Sequence, residues 1–114
     1  MAEMLSILRY LIRPDAKAPL HENSRVRALA DIETRGIVYY LAPSSEGLRI
    51  RIPRDSILVV YAEPTWLAFS CRFEDDAVER RVLPQQIFRN PGYGGLALVF
   101  FRWEIGRRLE IIPA

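Results

Sequence analysis

The stretch GLRIRIPRDSILVVY, residues 47–61, alternates aliphatic and charged side chains up to a proline and then continues as an apolar run. The alternation covers five consecutive positions: Leu48, Arg49, Ile50, Arg51 and Ile52. Successive side chains of a β-strand point to opposite faces, so the pattern predicts a strand with an aliphatic inner face and an arginine outer face. Pro53 has no N–H to donate to a ladder, which predicts an edge, bulge or corner before a second strand at 57–61.

The segment before this stretch predicts a β-hairpin. Residues 25–32 alternate and would pair with 37–41 across a turn at 33–36, where Gly36 would supply a positive φ. In that arrangement Tyr40 lies on the outward side of its strand. A helix over 24–34, capped by Ser24, is the alternative, although alternation fits the residues better than a period of 3.6.

Two further hairpins are predicted downstream. Residues 66–73 and 77–83 would pair across an acidic turn, with Cys71 among the inward residues. After a glycine-containing loop at 84–95, residues 96–112 would form the last hairpin, with these two cross-strand pairs: Ile105 with Leu109 and Trp103 with Ile111.

The N-terminal segment predicts a short helix. Residues 3–13 carry an apolar stripe at helical spacing and end before Pro14. The whole pattern predicts a mainly β (α+β) fold over residues 1–114 as a single domain. Its expected architecture is an antiparallel small barrel or two-layer sandwich of hairpins over 25–112, with the helix at 3–13 packed on the sheet.

Composition sets broad limits on function. The chain has 114 residues, half of them hydrophobic, which is ordinary for one globular domain. It lacks a signal-peptide pattern and any apolar run near the ~20 residues that span a bilayer, so we expect a soluble, cytoplasmic protein without membrane contact. The sixteen basic residues comprise fifteen arginines and only one lysine, for a net charge of +2. Residues 1–54 carry nine basic and six acidic side chains, so positive charge is concentrated there.

Catalytic and metal-binding motifs are lacking in the sequence. The single histidine, His21, and the single cysteine, Cys71, are fifty positions apart, and no metal-ligand spacing occurs. Acidic residues at 74–79 are typical of a solvated turn. The loop NPGYGG, residues 90–95, lacks the lysine and the strand-to-helix context of a phosphate loop. We therefore expect a non-catalytic protein without a cofactor or metal.

The outward arginines suggest one functional hypothesis. Guanidinium groups can follow phosphates while aromatic rings stack on bases, as in modules that bind single-stranded DNA or RNA. The candidate binding residues are Arg25, Arg27, Tyr40, Arg49, Arg51, Arg54 and Trp66. The structural alternative is a solvated sheet face whose arginines pair with nearby carboxylates. The functional alternative is an assembly or interaction subunit that forms a homo-oligomer, or binds a protein partner, through the apolar strands 57–61 or 96–101.

Overall fold

The computed structural model describes residues 20–113, so the helix expected at 3–13 lies outside the described residues. The strands are β1 (Arg25–Ala28), β2 (Ile32–Tyr40), β3 (Ser44–Ile52), β4 (Ile57–Val60), β5 (Ala68–Phe73), β6 (Tyr93–Phe101) and β7 (Leu109–Ile112). The helices are α1 (Asp76–Val82) and α2 (Gln85–Arg89), and a 3₁₀ turn covers Arg102–Glu104.

The seven strands form one antiparallel sheet in the order β3-β2-β6-β5-β4-β1-β7. The mainly antiparallel β fold expected from the alternation is therefore confirmed. The sheet is not a closed barrel, because β3 and β7 stand at its two ends without pairing to each other. Among residues 20–113, no helix has the length and apolar character needed to cross a membrane.

One face of the sheet, the inner face, forms the hydrophobic core together with α1 and α2. Burial of each large aliphatic side chain contributes roughly 1.5–3 kcal/mol. The most deeply buried large side chains come from all seven strands: Val26, Ile32, Val38, Ile52, Leu58, Val60, Cys71, Phe100 and Leu109 among them. Leu83, directly after α1, and Ile87, within α2, belong to the same hydrophobic cluster. Among residues 20–113, both helices therefore lie on the inner face, and no helix covers the opposite face, the outer face.

The stretch at 47–61 folds as its alternation predicts. Ile50 and Ile52 are buried, whereas Arg49 and Arg51 are exposed. Pro53 directly follows β3 and begins a tight corner, in which the Ser56 hydroxyl donates to the Pro53 carbonyl oxygen at 2.6 Å. The proline thus lies outside both ladders, as its missing donor requires.

The predicted first hairpin is wrong. The segment at 25–28 is a strand and not a helix, but β2 runs straight through the expected turn at 33–36. β1 pairs with β4 and β7, and β2 pairs with β3 and β6. Gly36 is not a turn residue: it is buried in mid-strand, where a Cβ atom would overlap Ile50 Cδ1 and lie 2.8 Å from Leu96 Cδ1. The missing side chain serves close packing rather than a positive φ.

Because β2 has no turn at 33–36, its side chains after residue 36 point to the faces opposite to those predicted. Alternation continues unbroken from Ile32, so Val38 is buried and Tyr40 packs partly buried against the core. Tyr39 is 43% exposed on the outer face instead. A shift of one position moves every side chain of a strand to the other face.

The segment at 77–83 forms helix α1 rather than a strand. The Asp75 carboxylate accepts the Ala77 backbone N–H at 2.9 Å and caps the helix. Val78 and Val82, four residues apart, both pack against the core. A capping aspartate followed by i, i+4 valines favours a helix, and this signal outweighs the two-residue alternation.

The predicted loop at 84–95 contains helix α2 and the start of β6, and the last hairpin is also wrong. β6 pairs with β2 and β5, whereas β7 crosses to pair with β1. Ile105 and Leu109 form only an isolated parallel bridge. The buried Glu104 ends β6, because its carboxylate accepts the Phe101 N–H at 2.9 Å and pairs with Arg108.

We predict that Gly36→Ala lowers the free energy of unfolding by about 1–3 kcal/mol, because an added methyl overpacks a closed core. Gly47→Ala is the matched control on the neighbouring strand β3, since a Cβ there would meet nothing within 4 Å. Urea unfolding of both variants measures the difference. Equal stability of Gly36→Ala and the native chain would contradict the packing role.

Candidate functional site: the outer face of the sheet

The outer face carries the arginines that the sequence singled out, but at opposite ends of the sheet. Arg25 and Arg27 lie on β1, while Arg49 and Arg51 lie on β3. Four strands, β2, β6, β5 and β4, separate β3 from β1. The candidate residues therefore do not form one continuous basic patch.

The two arginines of β1 are held by carboxylates. Arg25 Nε and Nη2 donate to the two oxygens of Glu74 at 2.6 and 2.9 Å, a bidentate arrangement. Arg27 Nη1 donates to Glu110 on the adjacent strand β7 at 3.1 Å. The hydrogen bond from Arg25 holds the pKa of Glu74 below its ordinary value. These pairs fit the structural alternative, in which the arginines stabilise a solvated face.

Asp31 organises a third arginine contact beside the corner after β3. One carboxylate oxygen accepts from Arg51 Nη2 at 3.0 Å, and the other accepts the backbone N–H of Arg54 at 2.9 Å. The Arg54 N–H, and then Arg51, hold the pKa of Asp31 below its ordinary value. Arg51 is therefore neutralised locally, while the Arg54 side chain makes no ion pair among the described residues.

Arg49 differs from the other arginines because its cross-strand neighbour is also an arginine. In the β2–β3 ladder Arg35 lies directly opposite Arg49. Both are exposed, and within residues 20–113 neither makes an ion pair or a side-chain hydrogen bond. Like charges directly opposite one another destabilise a sheet, so this pair has an energetic cost that a bound anion would remove.

Arg35 was absent from the sequence-derived candidates because its position was assigned to a turn. Once β2 is continuous, the alternation that places Arg49 outward places Arg35 outward as well. The odd positions of β2 from Ile37 to Glu33 then form one outward row beside β3. The useful signal was therefore the uninterrupted alternation through residues 32–40, which the Gly36 turn prediction obscured.

The two predicted aromatic contacts lie elsewhere. Tyr40 is directed toward the core side, and its hydroxyl donates to Glu46 at 2.6 Å. The Glu46 carboxylate raises the pKa of the Tyr40 hydroxyl through this hydrogen bond. Trp66 is 74% exposed but lies in the connection between β4 and β5 rather than on either arginine-bearing end.

The central strand β6 has exposed apolar residues on the outer face. Val99 is 40% exposed and Phe101 is 43% exposed. Their neighbours on β5 are small, Ser70 beside Val99 and Ala68 beside Phe101, so the two large side chains protrude. The Phe101 ring stacks on Trp103 with centroids 4.3 Å apart and planes within 4°. The apolar strand 57–61 differs, because β4 is enclosed between β1 and β5.

A cleft of about 720 Å³ opens where β5 and β6 separate beyond Cys71. Tyr39 and Tyr61 line it together with more acidic than basic groups. The charged side chains of its lining are Glu22, Arg72, Asp76 and Glu79. Burial raises the pKa of the Glu79 carboxyl. The balance of three carboxylates against one guanidinium makes this end of the outer face unfavourable for an anionic ligand.

The cysteine and the histidine lie in different environments, one buried and one exposed. Cys71 is fully buried, as expected for a small hydrophobe, and burial strongly raises the pKa of its thiol. His21 is exposed, and its Nδ1 lies 3.5 Å from Oε1 of Glu63. Across residues 20–113, no three histidine, cysteine or acidic side chains come close enough together to hold a metal ion.

Comparison with known proteins gives no relative for this chain: no protein-family model matches it, and no curated protein or solved structure is significantly similar. Function is therefore inferred from the geometry of the outer face. The basis for that inference is the contrast between arginines that have carboxylate partners and the Arg35–Arg49 pair, which has none among the described residues.

Two of the carboxylates that bind arginines, Glu74 and Asp31, should respond differently when the arginine is removed. Arg25→Gln should raise the pKa of Glu74 toward its ordinary value, because the Arg25 hydrogen bond is the largest cause of the shift. Arg51→Gln should leave the pKa of Asp31 still depressed, because the backbone N–H of Arg54 is the larger cause there. NMR titration of the carboxyl carbons measures both.

The sign of the associated pH effect follows from linkage. Because the folded-state pKa of Glu74 is lowered, the Arg25–Glu74 pair stabilises the fold above the ordinary carboxyl pKa. That contribution is lost as the pH falls through the folded-state pKa. An unchanged pKa of Glu74 in Arg25→Gln would show that the pair does not persist in solution.

Proposed function

We propose that this chain is a small non-catalytic module that binds single-stranded nucleic acid on the outer face of its sheet, at the end formed by β2 and β3. The observation that carries the proposal is the exposed cross-strand pair of Arg35 and Arg49, which has no carboxylate partner among the described residues. A phosphodiester supplies the missing negative charge. This contact region differs from the sequence-derived set, since Arg35 enters it and the ion-paired Arg25 and Arg27 leave it.

The geometry of the pair suits a phosphate backbone. Directly opposite residues in an antiparallel ladder have Cβ atoms about 4.5–5.5 Å apart, so two guanidinium groups there can contact one phosphate or two successive phosphates. Arginine also binds phosphate oxygens through paired, charge-assisted N–H donors. Relief of the Arg35–Arg49 repulsion adds to the favourable energy of binding.

An aromatic platform lies on the same face. Leu98 of β6 pairs with Gly36 of β2, which places Phe101 three residues further along β6, or ~10 Å at the rise of a strand. The Phe101–Trp103 stack is positioned before a ligand arrives, and stacking one base is worth ~1–3 kcal/mol. We infer that the strand runs from the arginine pair toward Phe101, away from the acidic cleft beside Tyr39.

Neutralising the pair should weaken binding and its salt dependence. For single strands, the slope of log K against log salt is about −0.7 per phosphate neutralised, so the double variant Arg35→Gln/Arg49→Gln should reduce its magnitude by about 0.7 for one contacted phosphate and by about 1.4 for two. Fluorescence anisotropy with labelled oligo-dT and oligo-U at several salt concentrations measures affinity and slope. The variant should fold at least as stably as the native chain, because a like-charge contact is removed.

Arg25→Gln/Arg27→Gln is the matched control, with the same change of charge at the opposite end of the sheet. We expect this control to retain most of the affinity and the native slope. Equal losses in both double variants would indicate a diffuse charge effect and reject the Arg35–Arg49 contact. Absence of binding by the native chain at 50 mM salt would reject nucleic-acid binding altogether.

A second candidate function is self-association, supported by the protruding Val99 and Phe101 on a central strand. Exposed apolar side chains on the open face of a sheet are typical of interfaces. A second copy of the chain would present the same row across a two-fold axis, so the surface can pair with itself. In this case the outer face would be an assembly surface, as the apolar strand 96–101 suggested.

Under this second candidate, Val99→Glu and Phe101→Glu should each convert a dimer to a monomer, because a carboxylate would be buried in the contact without a partner. Sedimentation velocity across a concentration series measures the change. Leu41→Glu is the control, since Leu41 is 80% exposed in the turn between β2 and β3, outside the row. A native chain that remains monomeric at high concentration excludes the candidate.

A further inference from the structure

A second cleft, of about 550 Å³, lies between helix α1 and the corner that joins β3 to β4. Its walls come from three separate parts of the chain, since Asp31, which precedes β2, also lines it. The corner contributes Arg54 and Asp55, and α1 contributes Arg81 on its last turn. Val78 and Val82 of α1 give the cleft an apolar wall.

The corner that carries Arg54 is held in place by several hydrogen bonds. The Arg54 N–H donates to Asp31 at 2.9 Å, and the Asp55 N–H donates to the Ala28 carbonyl oxygen at 2.9 Å. The Ser56 hydroxyl closes the corner onto Pro53. Asp55 has a φ of 68°, a left-handed conformation that aspartate adopts more readily than most non-glycine residues. The backbone position from which the Arg54 side chain extends is therefore well defined.

Two cations that line the cleft, Arg54 and Arg81, make no direct contact with a carboxylate among the described residues, although Asp31 interacts electrostatically with Arg54 at longer range. Arg51 also lines it, but Asp31 already neutralises that guanidinium at 3.0 Å. Within residues 20–113, Arg54 and Arg81 make no side-chain hydrogen bond or ion pair. Asp55 is the remaining acidic group of the lining, which leaves an excess of one positive charge.

We propose that this cleft binds a phosphate monoester. Arg54 and Arg81 hold the phosphate dianion from opposite walls, and the apolar wall of Val78 and Val82 receives the organic group. A dianion matches two guanidinium groups that make no direct ion pair among the described residues, and guanidinium groups bind phosphate oxygens with charge-assisted hydrogen bonds. The site uses neither Arg35 nor Arg49, so it stands or fails independently of the nucleic-acid contact proposed above.

Phosphate monoesters could reach this cleft from two sources. One is a small phosphorylated molecule, and the other is the phosphorylated end of a nucleic-acid strand. The chemistry at Arg54 and Arg81 is the same for both. Comparison of phenyl phosphate with 5′-phosphorylated and 5′-hydroxyl oligonucleotides of one sequence separates the two sources.

The test titrates phenyl phosphate into the ¹⁵N-labelled chain and follows backbone amide shifts by NMR. Saturable shifts are expected at the corner and on α1. Arg54→Gln and Arg81→Gln should each weaken binding about tenfold, as expected for one lost charge-assisted contact. Asp55→Asn should tighten binding several-fold, because it removes the opposing charge. Arg80→Gln is the matched control: it lies next to Arg81 on α1 but does not line the cleft.

Three results would overturn the proposal: no saturable shift with millimolar phenyl phosphate, an equal loss in Arg80→Gln and Arg81→Gln, or weaker binding in Asp55→Asn. Tighter binding of the 5′-phosphorylated than of the 5′-hydroxyl oligonucleotide, lost in Arg81→Gln, supports the site with a strand end as its source. Binding of phenyl phosphate without that difference supports the site with a small molecule as its source. The Arg35→Gln/Arg49→Gln variant should bind phenyl phosphate normally.

Discussion

The structure depends on burial of a single face of a continuous antiparallel sheet. Each strand must place its aliphatic positions on that face, and a shift by one residue would expose all of them. Contact across the core restricts the pairing further, since Gly36 of β2 lies against Ile50 and Leu96 of its two neighbours without room for a side chain. Register is therefore determined by packing on the inner face, and the positions of the outward side chains follow from it.

The outer face shows how the sheet compensates for a set of arginines forced into solvent. Carboxylates from adjacent strands and nearby turns pair with Arg25, Arg27 and Arg51, as Glu110 does for Arg27 and Asp31 does for Arg51. These exposed pairs each contribute little to stability, in the range of about 0–1 kcal/mol. Their larger effect is to remove long-range repulsion across the face. Arg35 and Arg49 stand out because they lie directly opposite one another and neither has an ion pair among the described residues.

Local sequence patterns predicted the structure correctly where they favoured one secondary structure, and wrongly where they favoured two. The alternation at 48–52 predicted β3 and the outward direction of Arg49, because a half-buried strand has no other consistent pattern. At 33–36, a glycine in a polar segment is typical of a turn, but close packing inside the sheet is what requires Gly36. At 77–83, a helix cap and i, i+4 valines competed with alternation, and the helix formed. As a result, the sequence-derived binding site omits Arg35 and places Tyr40 on the wrong face of the sheet.

By itself the sequence determined the fold class and the inward direction of the aliphatic positions at 48–52, because side-chain period is a local property of the backbone. Only the tertiary structure decided which strands pair. β1 joins β4 and β7, and β6 joins β2 and β5, across separations that no local pattern encodes. Strand pairing also decides which charged side chains lie next to one another. The same residue type is therefore an ion-paired Arg25 on one strand and, on another, an Arg49 that faces a second arginine.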